Sequence, residues 1–237
     1  MAKRFADNYF QEPWRGYGPG PPQVFRLVRN GEAWDKANSQ IYPGGSFGNG
    51  AAMRAAPVGL LFWNNPVKLK EVAYQSSLIT HSHILGMEGA SLQARAVALA
   101  VAENPKKRLD FQYFISRLLD FTTQDVYRTK TKKFGSLLEH PSDGQAVVRE
   151  LGHGIEAFNS VTTAIFSFLA NPKNFESTIF YAISLGGDTD TIASMAGAIS
   201  GAYLGIGEIP IGWQEKLENR DYILNLSDRL WCVASDK

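Results

Sequence analysis

Apolar residues recur at three- and four-residue spacing along almost the whole chain, and this period confines it to a helical fold. Phe111, Phe114, Ile115, Leu118 and Leu119 line one face of a helix over Phe111–Phe121. Leu85, Ala90, Leu92, Ala96, Leu99 and Ala100 do the same over 84–103. The same reading gives helices over 51–63, 67–78, 177–185, 191–204, 213–218 and 222–231. Residues 145–170 form one long helix or two abutting ones, punctuated by Gly152 and Gly154. Two short runs, 59–63 and 179–183, suit strands on periodicity alone, but their helix-like neighbours favour helix. The expected fold is all-α: a compact multi-helix bundle, one domain over residues 1–237.

Composition narrows the function classes. The chain is 44% apolar and 20% charged, which supports a sizeable core. A net charge of +1 supplies no global field for nucleic acid or an anionic membrane, so neither is an expected partner. One cysteine, Cys232, excludes an internal disulfide framework and a cysteine-only zinc site. The most apolar stretch, 192–206, is shorter than the ~20 residues of a membrane span. Acidic and aromatic residues follow the basic start where a signal peptide needs an apolar run. The expectation is a soluble, intracellular, monomeric protein of the cytoplasm or nucleus, with a mitochondrial form compatible. The only charge run, 128–133, reads as a solvated face or mobile loop.

The loops carry the chemistry. Glycine concentrates at 15–20, 44–50 and 186–191, each just before or between predicted helices. Within a helix, Asp188 and Asp190 would point to different sides. In a Gly-Gly turn that enters a helix they converge, with Asp190 or Thr189 as N-cap. The oxygens of Asp188, Asp190 and Thr191 make a hard-oxygen set suited to magnesium. Simple capping accounts for the segment equally well, and the positive helix N-terminus disfavours a cation. Ala193, Gly197 and Gly201 recur every four residues behind it, as do Ser194 and Ala198, predicting close backbone packing and the innermost helix of the bundle.

The 44–54 stretch puts a glycine loop before an alanine-rich helix, so loop and first-turn amides are placed to receive phosphate oxygens. It lacks the Gly-Lys-Ser/Thr of a Walker loop and the leading strand of a Rossmann turn. Phe47 suits stacking on a base, and Ser46 and Asn49 suit bonding a ribose or phosphate. On spacing alone, a flexible loop with Phe47 tucked into the core explains it too. His81, His83, His140 and His153 show no zinc spacing, and no Gly-x-Ser-x-Gly elbow supports acyl-enzyme chemistry.

Taken in order, these stretches resemble the ADP-ribosyl-acceptor hydrolase (ADP-ribosylglycohydrolase) family. The resemblance rests on Arg15-Gly16-Tyr17-Gly18, on the Gly45-to-Arg54 stretch, on Leu78-Ile79-Thr80-His81 and on the Ser184-to-Ala193 stretch. The run from Leu151 to Phe158 and the small-residue run ending at Tyr203 add to it. It is nearest the branch that removes ADP-ribose from serine and degrades poly(ADP-ribose). It implies an all-α bundle with a central cleft over two magnesium ions. It also implies a hydrolase acting on ADP-ribosylated proteins, ADP-ribose polymers or O-acetyl-ADP-ribose, in a DNA-damage setting. Asp188, Asp190 and Thr191 resemble its metal ligands. Gly45, Ser46, Phe47, Gly48 and Asn49 resemble contacts to adenosine and diphosphate, His81 a contact beside the diphosphate. Gly16, Tyr17 and Gly18 resemble the loop lining it, and Ile155 a further ligand contact.

One departure concerns the front of the domain. The family's Gly-Asp-containing first helix, gating glutamate and Thr-Asp-Asp run lie upstream of the segment where this chain begins. The catalytic acid and half of the metal site are therefore expected upstream of Met1. Residues 1–6 resemble the middle of a family helix, which makes Met1 an internal methionine on this reading. The expectation is weak magnesium binding, loose folding and little turnover by the 237-residue form, with an ADP-ribose-binding module as the alternative. A second departure concerns adenine: Ile41 or Tyr42 stands where the second stacking aromatic belongs.

Overall fold

The computed structural model describes residues 1–235 and contains, among them, helices and loops without a named strand. The helices are α1 (Ala2–Gln11), α2 (Gly20–Arg29), α3 (Ala37–Ile41), α4 (Ala56–Leu61), α5 (Pro66–Leu78), α6 (Ile84–Ala102), α7 (Phe111–Phe121) and α8 (Asp125–Lys132). They continue with α9 (Phe134–Leu137), α10 (Gly144–Leu151), α11 (Ala157–Ala170), α12 (Phe175–Ser184), α13 (Thr189–Leu204), α14 (Ile211–Glu215) and α15 (Arg220–Ser235). The all-α expectation holds: of the two runs that suit strands, 179–183 lies within α12, and 59–63 runs from α4 into the turn that follows it.

Several helices start where a side chain satisfies the free first-turn amides. Asn65 accepts from the Lys68 N–H at 3.0 Å, Asp110 from Tyr113 at 2.9 Å, Asp143 from Ala146 at 2.9 Å and Asn174 from Ser177 at 2.7 Å. The 145–170 segment is two helices. Gly152, at a φ of +76°, ends α10, and a turn of five residues leads into α11. The helix expected over 51–63 is shorter, a 3₁₀ turn at Asn49–Ala51 followed by α4. Periodicity alone misses α2, which opens on Pro21 and Pro22 at positions where their missing N–H costs nothing.

The charge run 128–133 is not a mobile or merely solvated loop; it falls on α8 and its end. Arg128 donates to the carbonyls of Leu119 (2.6 Å) and Thr122 (3.0 Å), at the end of α7. Lys130 donates to the Leu151 carbonyl at 2.6 Å, at the end of α10, and to Asn159 Oδ1. These cations meet the carbonyls that helix C-termini leave unpaired.

The innermost helix is α6 rather than α13. Every residue from Glu88 to Ala100 is buried, with α4, α5, α7, α11 and α13 packed around it. By length and composition alone α6 could span a membrane, but 78% of that window is buried inside the fold. Close backbone approach occurs between α4 and α6, where a Cβ on Gly59 would lie 2.4 Å from the Ala94 carbonyl. The small-residue stripe of α13 instead receives side chains. Cβ atoms on Gly197 and Gly201 would meet Ile179 or Phe175 of α12. A smaller cluster of Ala6, Tyr9, Phe25 and Ile79 packs α1 and α2 onto the end of α5.

Glu88, fully buried on α6, joins three elements. Its carboxylate accepts from Thr122 Oγ1 (2.6 Å), the Thr123 N–H (2.6 Å) and the Tyr74 hydroxyl, and pairs with Lys70 at 3.1 Å. Burial pushes its pKa up. The bonds from Thr122, Tyr74 and Thr123 and the charge of Lys70 outweigh that and leave it below the ordinary 4.5. A depressed carboxyl stabilises the fold above its unfolded pKa, and that contribution fades as pH falls through the folded value. Glu88→Ala is therefore expected to lower unfolding free energy by ~3–5 kcal/mol at neutral pH. Denaturant titrations of both proteins should converge as pH drops below 4.5; an undiminished gap at acid pH would refute the ionised network.

Candidate ADP-ribose site

The N-terminal ends of α6, α11 and α13 meet the loop 44–50 at one end of the bundle, and a few hydrogen bonds fasten them together. The 47–49 stretch pairs with residues 155–157. The Asn49 N–H donates to the Ile155 carbonyl and the Ala157 N–H to the Phe47 carbonyl, both at 2.9 Å. Gly48 and Glu156 form an antiparallel bridge there. Gly45 packs against the start of α6 so tightly that a Cβ would lie 2.3 Å from the His83 nitrogen.

The aspartate loop is fixed from two sides. The Asp188 N–H donates to the His153 carbonyl at 2.9 Å, and the His153 ring bonds the Leu185 carbonyl through Nδ1 at 2.9 Å. Asn49 Nδ2 donates to Asp188 Oδ2 at 2.5 Å and to Ser160 Oγ at 3.1 Å. Thr191 Oγ1 donates to Asp188 Oδ1 at 3.2 Å. Asp190 Oδ1 accepts the Thr191 N–H at 2.8 Å. Asp188, and not Asp190 or Thr189, occupies the N-cap position, and its carboxylate caps no helix amide. Both oxygens instead serve the neighbouring loop and Thr191.

Asp188, Asp190 and Thr191 therefore share one helix entrance. Two carboxylates and a hydroxyl match what a hard dication prefers, with the remaining positions left to water. Among the described residues no third acid or histidine joins them. These three residues would hold a dication only with water completing its shell, and they are short of a cage for two.

The catalytic acid expected upstream of Met1 lies outside the described residues. Met1 itself is a helix start and not a site residue. It occupies the N-cap of α1, 66% exposed, and its carbonyl accepts the Phe5 N–H at 3.0 Å. A thioether side chain there has no proton to give or take in hydrolysis.

The glycine loop offers donors. Gly44 and Gly45 both have φ of +86°. The backbone N–H groups of Ser46 and Phe47 have no protein acceptor among the described residues, while Gly48 N–H reaches Ser46 Oγ at 3.3 Å. Consecutive free amides make an anion-binding concavity. Phe47 is not tucked into the core: it is 43% exposed, edge-on to His83 at 5.4 Å and tilted to Phe158 at 6.1 Å. The Tyr42 ring lies instead against Gly20, where a Cβ would come within 2.5 Å of it. His83 and Phe158 are thus the rings beside Phe47, and spacing alone singled out neither.

His81 is buried beneath this loop, and Arg54 lies beside it. Ile155 places its carbonyl on Asn49 and leaves its own side chain 67% exposed. Gly16, Tyr17 and Gly18 lie in the turn between α1 and α2. Tyr17 packs edge-on to Tyr9 at 5.1 Å and Phe25 at 6.1 Å, and Arg15 bridges Glu12 (2.6 Å) and Glu218 (2.8 Å). No hydrogen bond or ring contact joins residues 16–18 to the 44–50 loop among the described residues. Sequence reading missed His153, Ser160 and Lys130 as supports. The available signal was Gly187, because a glycine beside a functional aspartate marks a backbone crossing.

Comparison with known proteins defines the class first. A solved structure titled "ADP-ribosylglycohydrolase-related protein complex" superposes with a TM-score of 0.75 at 24% identity, covering 99% of this chain and 75% of that one, so the two share a fold. The chain belongs to the ADP-ribosylglycohydrolase family, whose profile matches residues 1–237. It is 41% identical to ADP-ribosylhydrolase ARH3 of Homo sapiens, over 92% of this chain and 68% of that protein. It is 39% identical to ADP-ribosylhydrolase ARH3 of Gallus gallus, over 92% and 67%. The protein is accordingly a hydrolase of this family.

Gly187 allows the two loops to cross. Its φ is +73°, and a Cβ there would stand 2.0 Å from the His153 carbonyl oxygen. Gly205 has a similar φ of +84° with nothing within 4 Å. Gly205→Ala should cost about 1 kcal/mol of backbone strain, and Gly187→Ala clearly more because the crossing must open. Chemical denaturation of the pair measures the difference; equal losses would mean that the crossing is not tight.

Proposed function

We propose that this hydrolase cleaves the bond from the anomeric carbon of ADP-ribose to a protein serine, to a further ADP-ribose unit or to an acetyl group, with magnesium as cofactor. The observation that carries this reading is the Asn49–Asp188 contact, which puts an exposed phosphate-type loop and a carboxylate pair at one mouth. The naming of the relatives as ADP-ribosylhydrolases supports the substrate class.

Each residue then has a part. The free amides of Ser46 and Phe47 bind diphosphate oxygens, and the exposed Phe47 ring gives the base a surface to stack on. Asp188, Asp190 and Thr191 would hold the metal, which would supply positive charge to bind sugar hydroxyls and orient water. Asn49 keeps Asp188 aimed into the mouth. With only two acids at the site among the described residues, a binding module that holds ADP-ribose without turnover is the rival reading.

Asp188→Asn and Asp190→Asn are each expected to lower magnesium-dependent release of ADP-ribose from a serine-modified peptide by ~100-fold or more. Calorimetric affinity for ADP-ribose without magnesium should change much less. Near-normal turnover in both variants would sink the metal assignment. Binding without turnover in the unmodified protein would establish the rival.

A further inference from the structure

Arg54 carries a positive charge into the bundle, and among the described residues no carboxylate meets it. Its guanidinium donates to the carbonyls of Gly50 (3.1 Å) and Ser76 (3.1 Å) and to Thr80 Oγ1 (2.8 Å), while Nε is buried and unpaired. The Phe5 ring covers it at 5.0 Å. Burial pulls its pKa down to about 10, so it remains charged at neutral pH.

Thr80 lies between this cation and a histidine. Its Oγ1 is 2.8 Å from His81 Nδ1, and both residues are buried. A hydroxyl has one proton to give. Arg54 can only donate, so Thr80 accepts from it, and the one remaining partner for the Thr80 proton is His81 Nδ1. A nitrogen that accepts carries no proton. With that pairing, which gives the Thr80 proton its partner, the ring proton of neutral His81 sits on Nε2. That edge faces the glycine loop: Nε2 would lie 3.5 Å from a Cβ on Gly48 and 3.0 Å from one on Gly50. No protein acceptor reaches it among the described residues.

We propose that Arg54 and Thr80 are positioning residues that fix His81 as its Nε2–H tautomer, so that the ring presents an N–H donor to a phosphate oxygen of a ligand held in the 46–50 loop. The ligand half rests on the ADP-ribose reading above; the tautomer half does not. Burial, aided by the Arg54 charge, lowers the His81 pKa to about 3, so the ring stays neutral while it donates. A neutral donor there suits a diphosphate, because it keeps its proton across the whole working pH range. Arg54 adds a fixed positive field from behind the loop, at no cost in reorganisation when the anion arrives.

Nitrogen NMR of the histidine rings in the ligand-free protein reads the tautomer directly. His81 should show Nε2 protonated and Nδ1 as acceptor, unchanged from about pH 5 to about pH 8. Thr80→Val removes the donated proton while keeping shape, and should alter that signature and weaken ADP-ribose binding about tenfold. Thr80→Ser should restore both. His81→Gln, whose amide can place an N–H where Nε2–H was, should bind ADP-ribose better than His81→Asn, whose shorter amide cannot. An Nδ1–H tautomer, or titration of His81 within that pH range, overturns the relay whether or not ADP-ribose binds. An Nε2–H tautomer with undiminished binding by Thr80→Val overturns its link to the ligand. Failure of the unmodified protein to bind ADP-ribose refutes the ligand half through the functional reading and leaves the tautomer result standing.

Discussion

A side-chain amide on one loop and a carboxylate on another, 139 residues apart in sequence, hold the mouth of this bundle in register. Asn49 reaches Asp188 and Ser160 together, so the glycine loop, the start of α11 and the entrance to α13 cannot shift independently. The backbone supports that arrangement, since the Asp188 amide rests on His153 and the Asn49 amide on Ile155. The 153–157 turn is thus the common brace. It presents one carbonyl to each loop, and Lys130 pins it from behind through Leu151 and Asn159.

Two buried charges near this frame are handled in opposite ways. Glu88 is met by Thr122, Thr123, Tyr74 and Lys70, a nearly complete set of donors, and so serves to lock α5, α6 and the 121–123 turn. Arg54 is given carbonyls, a hydroxyl and the Phe5 ring, with no carboxylate partner among the described residues. A fold could neutralise both for stability. Leaving the second open keeps positive potential beneath a loop with free amides at Ser46 and Phe47, which is where an anion gains from it.

The helical period made the architecture legible, most clearly in α7, which buries one face through Phe114, Ile115 and Leu118. What it could not show was which helix lies deepest. The small residues of α13 look like the innermost stripe, but they accept Phe175 and Ile179 from a neighbour, whereas α6 is sealed by helices on all sides. The same limit applies to charge. Arg128 and Lys130 read as solvated until the chain folds back and brings the carbonyls of Leu119 and Leu151 to them. The pairing of Asp188 with the glycine loop followed from helix-entrance chemistry plus resemblance. The partners that enforce it, His153 and Ser160, are ordinary residues whose role depends on a three-dimensional crossing. In the glycine-rich 16–18 run the ring contacts show only how Tyr17 is held, between Tyr9 and Phe25.

The Asn49–Asp188 separation also has a temporal side. A ribosome adds ~5–20 residues each second, so roughly 7–28 s pass between synthesis of the glycine loop and arrival of its carboxylate partner. During that interval α4, α5 and α6 can pair locally, but the loop above them waits for its 155–160 partners and then for Asp188. The mouth is among the last features to acquire its native neighbours, and a nascent chain stalled before residue 188 would display a half-built anion cradle to any chaperone that meets it.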